Sequence, residues 1–392
     1  MLARNAWEKR KLGEVVLERN SRSGDKQLLS VTINQGVIKS ENSGRKDNSS
    51  SDLSNYKLVK VGDIPYNSMR MWQGASGYSY FEGIVSPAYT VLIPSAETDG
   101  LFLSYDIKRN KMLSVFQRHS QGLTSDTWNL KYPQLSSIHV TVPKKNEQIL
   151  IRQALTKLDA LIAATQHKID ALEQAKKALL QCLFDQSWRF KGYSDPWEKR
   201  KFVQMLNNSD GLRRGPFGSA LKKAFFVKES SFVVYEQQNA IYDRFNTRYR
   251  ISEKKFAELH NFEVLPGDFL LSGAGTIGRI ARVPKGIEQG VFNQALIRLR
   301  INESMTDSEF FLQFIRSDFM QKNLTETNPG SAIQNLVPMS ELKNWTVRIP
   351  VVNEQRKIGS LLKKVDNLIT ATQSRLSSLE LLKKALLQDL FI

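Results

Sequence analysis

A single cysteine, Cys182, in 392 residues excludes an intramolecular disulfide and a cysteine-rich zinc site. The four histidines, His119, His139, His167 and His260, are scattered without metal-ligand spacing, so no metal site is expected. No run of 18 apolar residues occurs, which excludes an ordinary membrane-spanning helix, and the first residues hold no apolar stretch like a signal peptide. A cytosolic chain without membrane contact is the expectation. Acidic residues are short too: 39 Asp and Glu stand against 56 Lys and Arg, a net charge of +17. That balance suits a polyanionic partner, although a merely soluble basic protein would also carry it.

What is present is a repeat. Residues 143–184 align without a gap onto 350–391 at an offset of 207, with 23 identities in 42 positions. Asn146-Glu147-Gln148 recurs as Asn353-Glu354-Gln355, and Lys176-Lys177-Ala178-Leu179-Leu180-Gln181 as Lys383-Lys384-Ala385-Leu386-Leu387-Gln388. Each copy reads as a long helix, with Pro before its start, Asn as N-cap and Glu next to favour the positive helix end. Gly359 is the one weak helix former. Spacing of four and three gives one seam of Ile151, Leu155, Leu158, Ile162, Ile169, Leu172, Leu179 and Leu183, and a second of Ile358, Leu362, Val365, Ile369, Leu376, Leu379, Leu386 and Leu390. Both seams break alike, at Thr165 and Thr372 and at Lys176 and Lys383. Those lysines read either as snorkelling side chains or as partner contacts.

Upstream of each helix lies a more divergent domain. The division is residues 1–142 and 185–349 for the domains, 143–184 for the first long helix and 350–392 for the second. Trp7-Glu8-Lys9-Arg10-Lys11 recurs as Trp197-Glu198-Lys199-Arg200-Lys201, and Gly62-Asp63 as Gly267-Asp268, each opening an extended element. Short β-type runs mix with helical pieces, so the fold class is mixed α/β or α+β. Charge is shared evenly: +5 over 1–142, +3 over 143–184, +6 over 185–348 and +3 over 349–392. Both halves are therefore equipped to meet phosphate.

Near-identical helices beside divergent domains point to one job done twice by the helices and two versions of one job done by the domains. A recent duplication of the helices alone is the plainer alternative. If the seams pair with each other, the order domain–helix–domain–helix makes them antiparallel, giving a pseudo-two-fold molecule suited to a split DNA site with a fixed gap.

This plan resembles the specificity subunit of type I restriction-modification enzymes over essentially the whole chain. The Trp-Glu-Lys-Arg-Lys segments, the Pro-x-x-x-Glu-Gln helix starts and the Lys-Lys-Ala-Leu-Leu-Gln helix ends carry the resemblance. So do Arg214-Gly215-Pro216-Phe217-Gly218-Ser219 and Tyr235-Glu236-Gln237-Gln238-Asn239-Ala240-Ile241. It implies two target-recognition domains joined by two long antiparallel coiled-coil helices that dock two methyltransferase subunits, with restriction and translocation subunits joining for cleavage. It also implies that S-adenosylmethionine, ATP and magnesium belong to those partners, and that this chain binds double-stranded DNA, binds no cofactor and is not itself catalytic. The alternatives are a coiled-coil adaptor that binds proteins only and a self-contained DNA methyltransferase or nuclease.

Contact candidates follow from loop chemistry. Arg213, Arg214, Ser219, Lys222 and Lys223 frame a Gly-Pro loop in which arginine can meet guanine or phosphate; a solvated basic loop is the alternative. Ser272 and Arg279 flank Gly273-Ala274-Gly275-Thr276-Ile277-Gly278, and Thr276 lies within it. Pro284 and a β-type run follow where a dinucleotide fingerprint needs a helix, which leaves a plain hairpin or a turn near phosphate. Ser331, Gln334 and Asn335 sit on a polar loop able to read adenine or to cap a turn. In the first domain Ser68, Arg70 and Gln73, with Arg118, Ser120 and Gln121, are the counterparts; Met69 and Met71 read as core, and Trp72 as either. Asp63-Ile64-Pro65-Tyr66 is similar to an adenine-methyltransferase motif, but its second position is wrong and no methyl-donor glycine motif accompanies it.

Overall fold

A computed structural model describes residues 7–44, 49–325 and 338–391. The chain divides into two compact units: residues 1–167 with 373–392, and residues 168–372. Each unit thus takes part of both long helices. The class is mixed α/β, built on the internal repeat.

In the first unit the strands are β1 (Glu8–Lys11), β2 (Val16–Glu18), β3 (Leu29–Thr32), β4 (Gly36–Lys39), β5 (Lys57–Val59), β6 (Ile64–Asn67), β7 (Gly83–Val85), β8 (Tyr89–Pro94) and β9 (His139–Val142). They form small antiparallel sheets, with order β2-β8-β6 and the pairs β1-β9, β3-β4 and β5-β7. β1 is the Glu-Lys-Arg-Lys segment, and Glu8 pairs with Val142, three residues before the first long helix (Lys145–Phe184).

The second unit repeats this device. β10 (Glu198–Lys201) lies antiparallel to β19 (Thr346–Ile349), with Glu198 opposite Ile349, just before the second long helix (Val352–Asp389). Between them are β11 (Leu212–Arg214), β12 (Phe226–Val227), β13 (Phe232–Tyr235), β14 (Tyr249–Ile251), β15 (Phe269–Ser272), β16 (Ile280–Arg282), β17 (Gly290–Phe292) and β18 (Leu296–Leu299). One sheet has order β11-β18-β15-β16 and the other β12-β14-β13-β17, in which only β13 and β17 run parallel. The Trp-Glu-Lys-Arg-Lys segments therefore fasten the start of each domain to the root of its helix.

The long helices have no proline and mostly strong formers, and their apolar stripe meets two kinds of neighbour. All sixteen seam residues are buried or half-buried. In the first unit Ile151 and Leu155 share a core with Leu386, Leu390 and Phe391, together with Phe102 and Phe116 of the domain. In the second, Leu183 and Leu179 share a core with Ile358 and Leu362 and with Phe310 and Phe314. Within each unit the beginning of one helix meets the end of the other, which makes the pairing antiparallel. Helix and domain are one core, so the stripe is more than a coiled-coil seam.

One detail of the helix starts differs from expectation. The first helix begins at Lys145 and the second at Val352, so Asn146 and Asn353 lie in the first turn instead of capping it. Thr165 and Thr372 satisfy their hydroxyls on their own helix, each donating to the carbonyl four residues back, Leu161 and Leu368.

Lys176 and Lys383 each pair with a carboxylate within the chain. Lys383 pairs with Asp159 and Lys176 with Asp366, both at 2.6 Å, across the facing helices. A domain side chain completes each cluster at the carboxylate: Tyr105 donates to Asp159 and Gln313 to Asp366. Burial, then the bond to Asp159, raises the Tyr105 pKa, so the phenol stays a donor.

The glutamine of the repeated Glu-Gln pair has a matching task, whereas Glu147 accepts from the Trp7 indole and Glu354 pairs with Arg189. Gln148 accepts from the Asp99 backbone N–H and donates to the Pro143 and Glu97 carbonyls. Gln355 accepts from the Asp307 N–H and donates to the Pro350 and Met305 carbonyls. Asp99 and Asp307 in turn cap helices Gly100–Asp106 and Ser308–Arg316. Arg152 reaches Asp99 in the first unit; its counterpart is Gly359, where a Cβ would stand 2.7 Å from the Phe310 nitrogen. The weak helix former is there for close approach.

Candidate nucleic-acid interface

In the second unit the two predicted loops flank one turn. Gly273–Gly278 is the turn of the β15–β16 hairpin, with Gly275 and Gly278 at positive φ, and no helix follows it. The Arg214–Ser219 loop leaves β11, and Gly215 donates to the Leu296 carbonyl. Gly273 donates to the Ala295 carbonyl, so the Asn293–Ala295 turn lies between the two loops. A Cβ on Gly215 would stand 1.9 Å from the Asn293 oxygen, and one on Gly218 2.8 Å from the Gln294 side chain. At Gly215, which faces backbone, only glycine allows that approach. Gln237 donates to the Ala274 carbonyl at 2.8 Å and holds the hairpin from the other side, while Asn239 is buried and donates to the Arg244 and Asn246 carbonyls. The Tyr-Glu-Gln-Gln-Asn segment is therefore a brace for the loops.

The predicted residues on this surface divide into two groups. Arg214, Ser219, Lys222, Lys223, Thr276 and Arg279 are exposed. Ser272 is a correction: it is fully buried, donating to the Thr276 carbonyl and accepting from the Arg279 N–H to close the hairpin. Arg213 is half-buried and bound to Asp210 at 2.8 Å, with Phe262 beneath its guanidinium. Asp210 also holds Arg298 and Arg300. Burial alone would raise the Asp210 pKa, but the Arg213 hydrogen bond and the charges of Arg298, Arg213 and Arg300 bring it below the usual carboxylate value. Arg213 thus braces the sheet behind the loop. Ser331, Gln334 and Asn335 lie outside the described residues.

In the first unit the counterparts gather round a tryptophan pair that sequence reasoning missed. Trp72 and Trp128 meet edge to face at 5.2 Å, and the Leu130 N–H donates to the Ser68 carbonyl, joining the two segments. Arg70 is exposed and donates to Gln73; Arg118 and Gln121 are exposed nearby in sequence to this join. Ser68 is a second correction: it is buried against Thr90 at 3.0 Å. Ser120 returns its hydroxyl to the Phe116 carbonyl. Met71 is core, but Met69 is exposed. The sign that could have found Trp128 is an indole in an otherwise polar run from Thr124 to Asn129, since a large ring there needs another to rest on.

Other motifs resolve as framework. Asp63 is buried, accepts from the Lys60 N–H and holds Arg19 through two bonds. Asp268 does the same with the Leu265 N–H and Arg300. Pro65 and Tyr66 lie within β6, and Tyr66 donates to the Leu130 carbonyl. Among the described residues no cluster of three or more His, Cys, Asp or Glu is placed to hold a metal, and no helix is long and apolar enough to cross a membrane.

Comparison with known proteins agrees with this repeat. The putative type I restriction enzyme MjaX specificity subunit of Methanocaldococcus jannaschii is 21% identical over 353 residues, covering 86% of this chain and 79% of that protein. The MjaVIII specificity subunit of the same organism is 21% identical over 347 residues, covering 84% and 78%. The fold is similar to the S subunit of a type I restriction-modification system from M. genitalium, with a TM-score of 0.58, 16% identity and coverage of 100% and 98%. It is also similar to the HsdS subunit from Thermoanaerobacter tengcongensis, with a TM-score of 0.52, 15% identity and coverage of 99% and 97%. The type I restriction modification DNA specificity domain model matches twice, over residues 5–174 and 221–381, so the chain belongs to that family and is a specificity subunit of a type I restriction-modification system.

Proposed function

We propose that each unit reads one half of a two-part DNA site, and that the duplicated helices set the gap between the halves and carry two copies of a methyltransferase subunit. The observation that supports this best is the contrast between frame and surface. The Lys–Asp pair, its domain donor and the glutamine brace of Gln148 and Gln355 recur in both units, while the loop-bearing surfaces share little. A repeated frame suits identical partners; dissimilar surfaces suit dissimilar half-sites. Leu161 and Leu368, 207 residues apart, are 46% and 53% exposed and are available for the same contact twice. Restriction and translocation subunits would join this assembly, and S-adenosylmethionine, ATP and magnesium would be held by the partners. This chain would choose the site without performing chemistry on it.

Exchanging residues 1–142 for another domain of the family and mapping methylated adenines tests the reading. One half of the recognised sequence should change and the other stay; a change in both halves would refute one-unit-one-half reading. Methyl transfer by the purified chain alone would refute the non-catalytic role.

A further inference from the structure

Phe217 is 87% exposed although it is one of the most apolar side chains in the molecule. It stands between Pro216, which is buried, and Gly218, which packs on Gln294. The Phe217 carbonyl accepts from the Ala220 N–H at 2.8 Å, and Gly215 is bonded to Leu296, so both sides of the tip are pinned. The ring is thus held outward by its own loop, with little freedom left to lose on binding. The surrounding charge indicates what it meets. With Arg213 paired to Asp210, the exposed charged side chains from Arg214 to Lys228 are four basic ones, Arg214, Lys222, Lys223 and Lys228, and no acidic one. A protein partner for an exposed aromatic would not require that; a polyanion would.

We propose that Phe217 is a wedge that enters the base stack of the DNA read by the second unit, opening one step and bending the duplex, while Arg214, Lys222 and Lys223 hold the flanking phosphates. An aromatic or aliphatic wedge between base steps is a recognised way to deform DNA, and it makes deformability of that step part of what is read. The first unit has a comparable tip in Leu123, next to Gly122 and fully exposed at 101%. The proposal rests on the DNA-reading assignment made above.

The test uses the full chain with its methyltransferase partners, without methyl donor, and duplexes carrying the mapped site. 2-Aminopurine is placed in turn at each position of the second half-site other than the methylated base. Wild type should raise 2-aminopurine fluorescence at one step. Phe217→Ala should abolish that rise and bind about tenfold to a hundredfold more weakly, at an unchanged melting temperature. Phe217→Leu should keep part of both. Wild-type fluorescence and affinity in Phe217→Ala would overturn the wedge. So would a loss of affinity that replacing thymine by uracil reproduces with no rise at any step, which would make the ring a cover for a thymine methyl. In either case the DNA-reading assignment survives if wild type still prefers its site to a scrambled duplex; if it shows no preference, both fall.

Discussion

Reversing Asp159 to Lys places two ammonium groups where the helices now share a 2.6 Å ion pair, and a second reversal, Lys383→Asp, restores attraction with the signs exchanged. The magnitude follows from exposure. Lys383 and Asp159 are 32% and 36% exposed, and the equivalent Lys176 and Asp366 are 21% and 32% exposed. Fully exposed pairs contribute about 0.2–1 kcal/mol, and removing one partner of a buried pair costs about 3–5 kcal/mol. Pairs about one-third exposed sit between these, so a single reversal should destabilise the first unit by roughly 2 kcal/mol. The double reversal should recover most of that loss, because the Tyr105 hydroxyl can accept from a lysine where it now donates to Asp159. Urea unfolding of the full chain gives the free energies, and hydrogen exchange shows which unit responds. Raising salt to 1 M, where the screening length falls to about 3 Å, should shrink the penalty. A cost below about 0.5 kcal/mol for Asp159→Lys, or a double reversal no more stable than the single, would refute the antiparallel register assigned here.

Gln148→Ala and Gln355→Ala each strip a buried cap from a backbone N–H and two carbonyls, and each should cost about 2–3 kcal/mol in urea unfolding. A loss in only one of them would break the equivalence of the two frames. Gly359→Ala should destabilise the second unit despite its better helix propensity, since the methyl would meet the start of helix Ser308–Arg316; a stabilised variant would refute that close approach. Asp210 has a lower pKa folded than unfolded, so its contribution is full at neutral pH, above the unfolded value of about 4, and is lost as pH falls through the lower folded value. Asp210→Asn should therefore flatten the stability–pH profile below about pH 4. An unaltered slope there would count against the arginine cluster as its cause.

How far the fold was legible depended on the range of the interaction involved. The helices were visible because a repeat of 3.6 residues writes itself along the chain, and all sixteen seam positions are buried or half-buried. The partner of Lys383 was not visible, because Asp159 is 224 residues away and nothing local announces it. The same limit explains Ser68 and Ser272. Small polar residues in turns suit DNA contacts, but they equally suit the closing of a buried hairpin, and burial decided for the second. Arg213 and Arg214 are neighbours with one composition signal between them, yet alternation on β11 sends one to Asp210 and the other to solvent.

The two Gly-Asp turns show why alignment faded faster than structure in the domains. Asp63 and Asp268 each close their own turn and each grip a guanidinium through two bonds. Yet Arg19 follows β2, whereas Arg300 follows β18, the counterpart of β8, to which β2 is hydrogen-bonded. Two buried carboxylates need positive charge at one point in space, and neighbouring strands can both deliver it. Selection on that point leaves the sequence position of the arginine free to move. The helices lack this freedom, because an antiparallel ion pair fixes both of its members by register, and there the same lysine and aspartate stand in both copies. The uneven repeat is therefore what two kinds of constraint would leave behind: register in the helices, and a charge with a choice of supports in the domains.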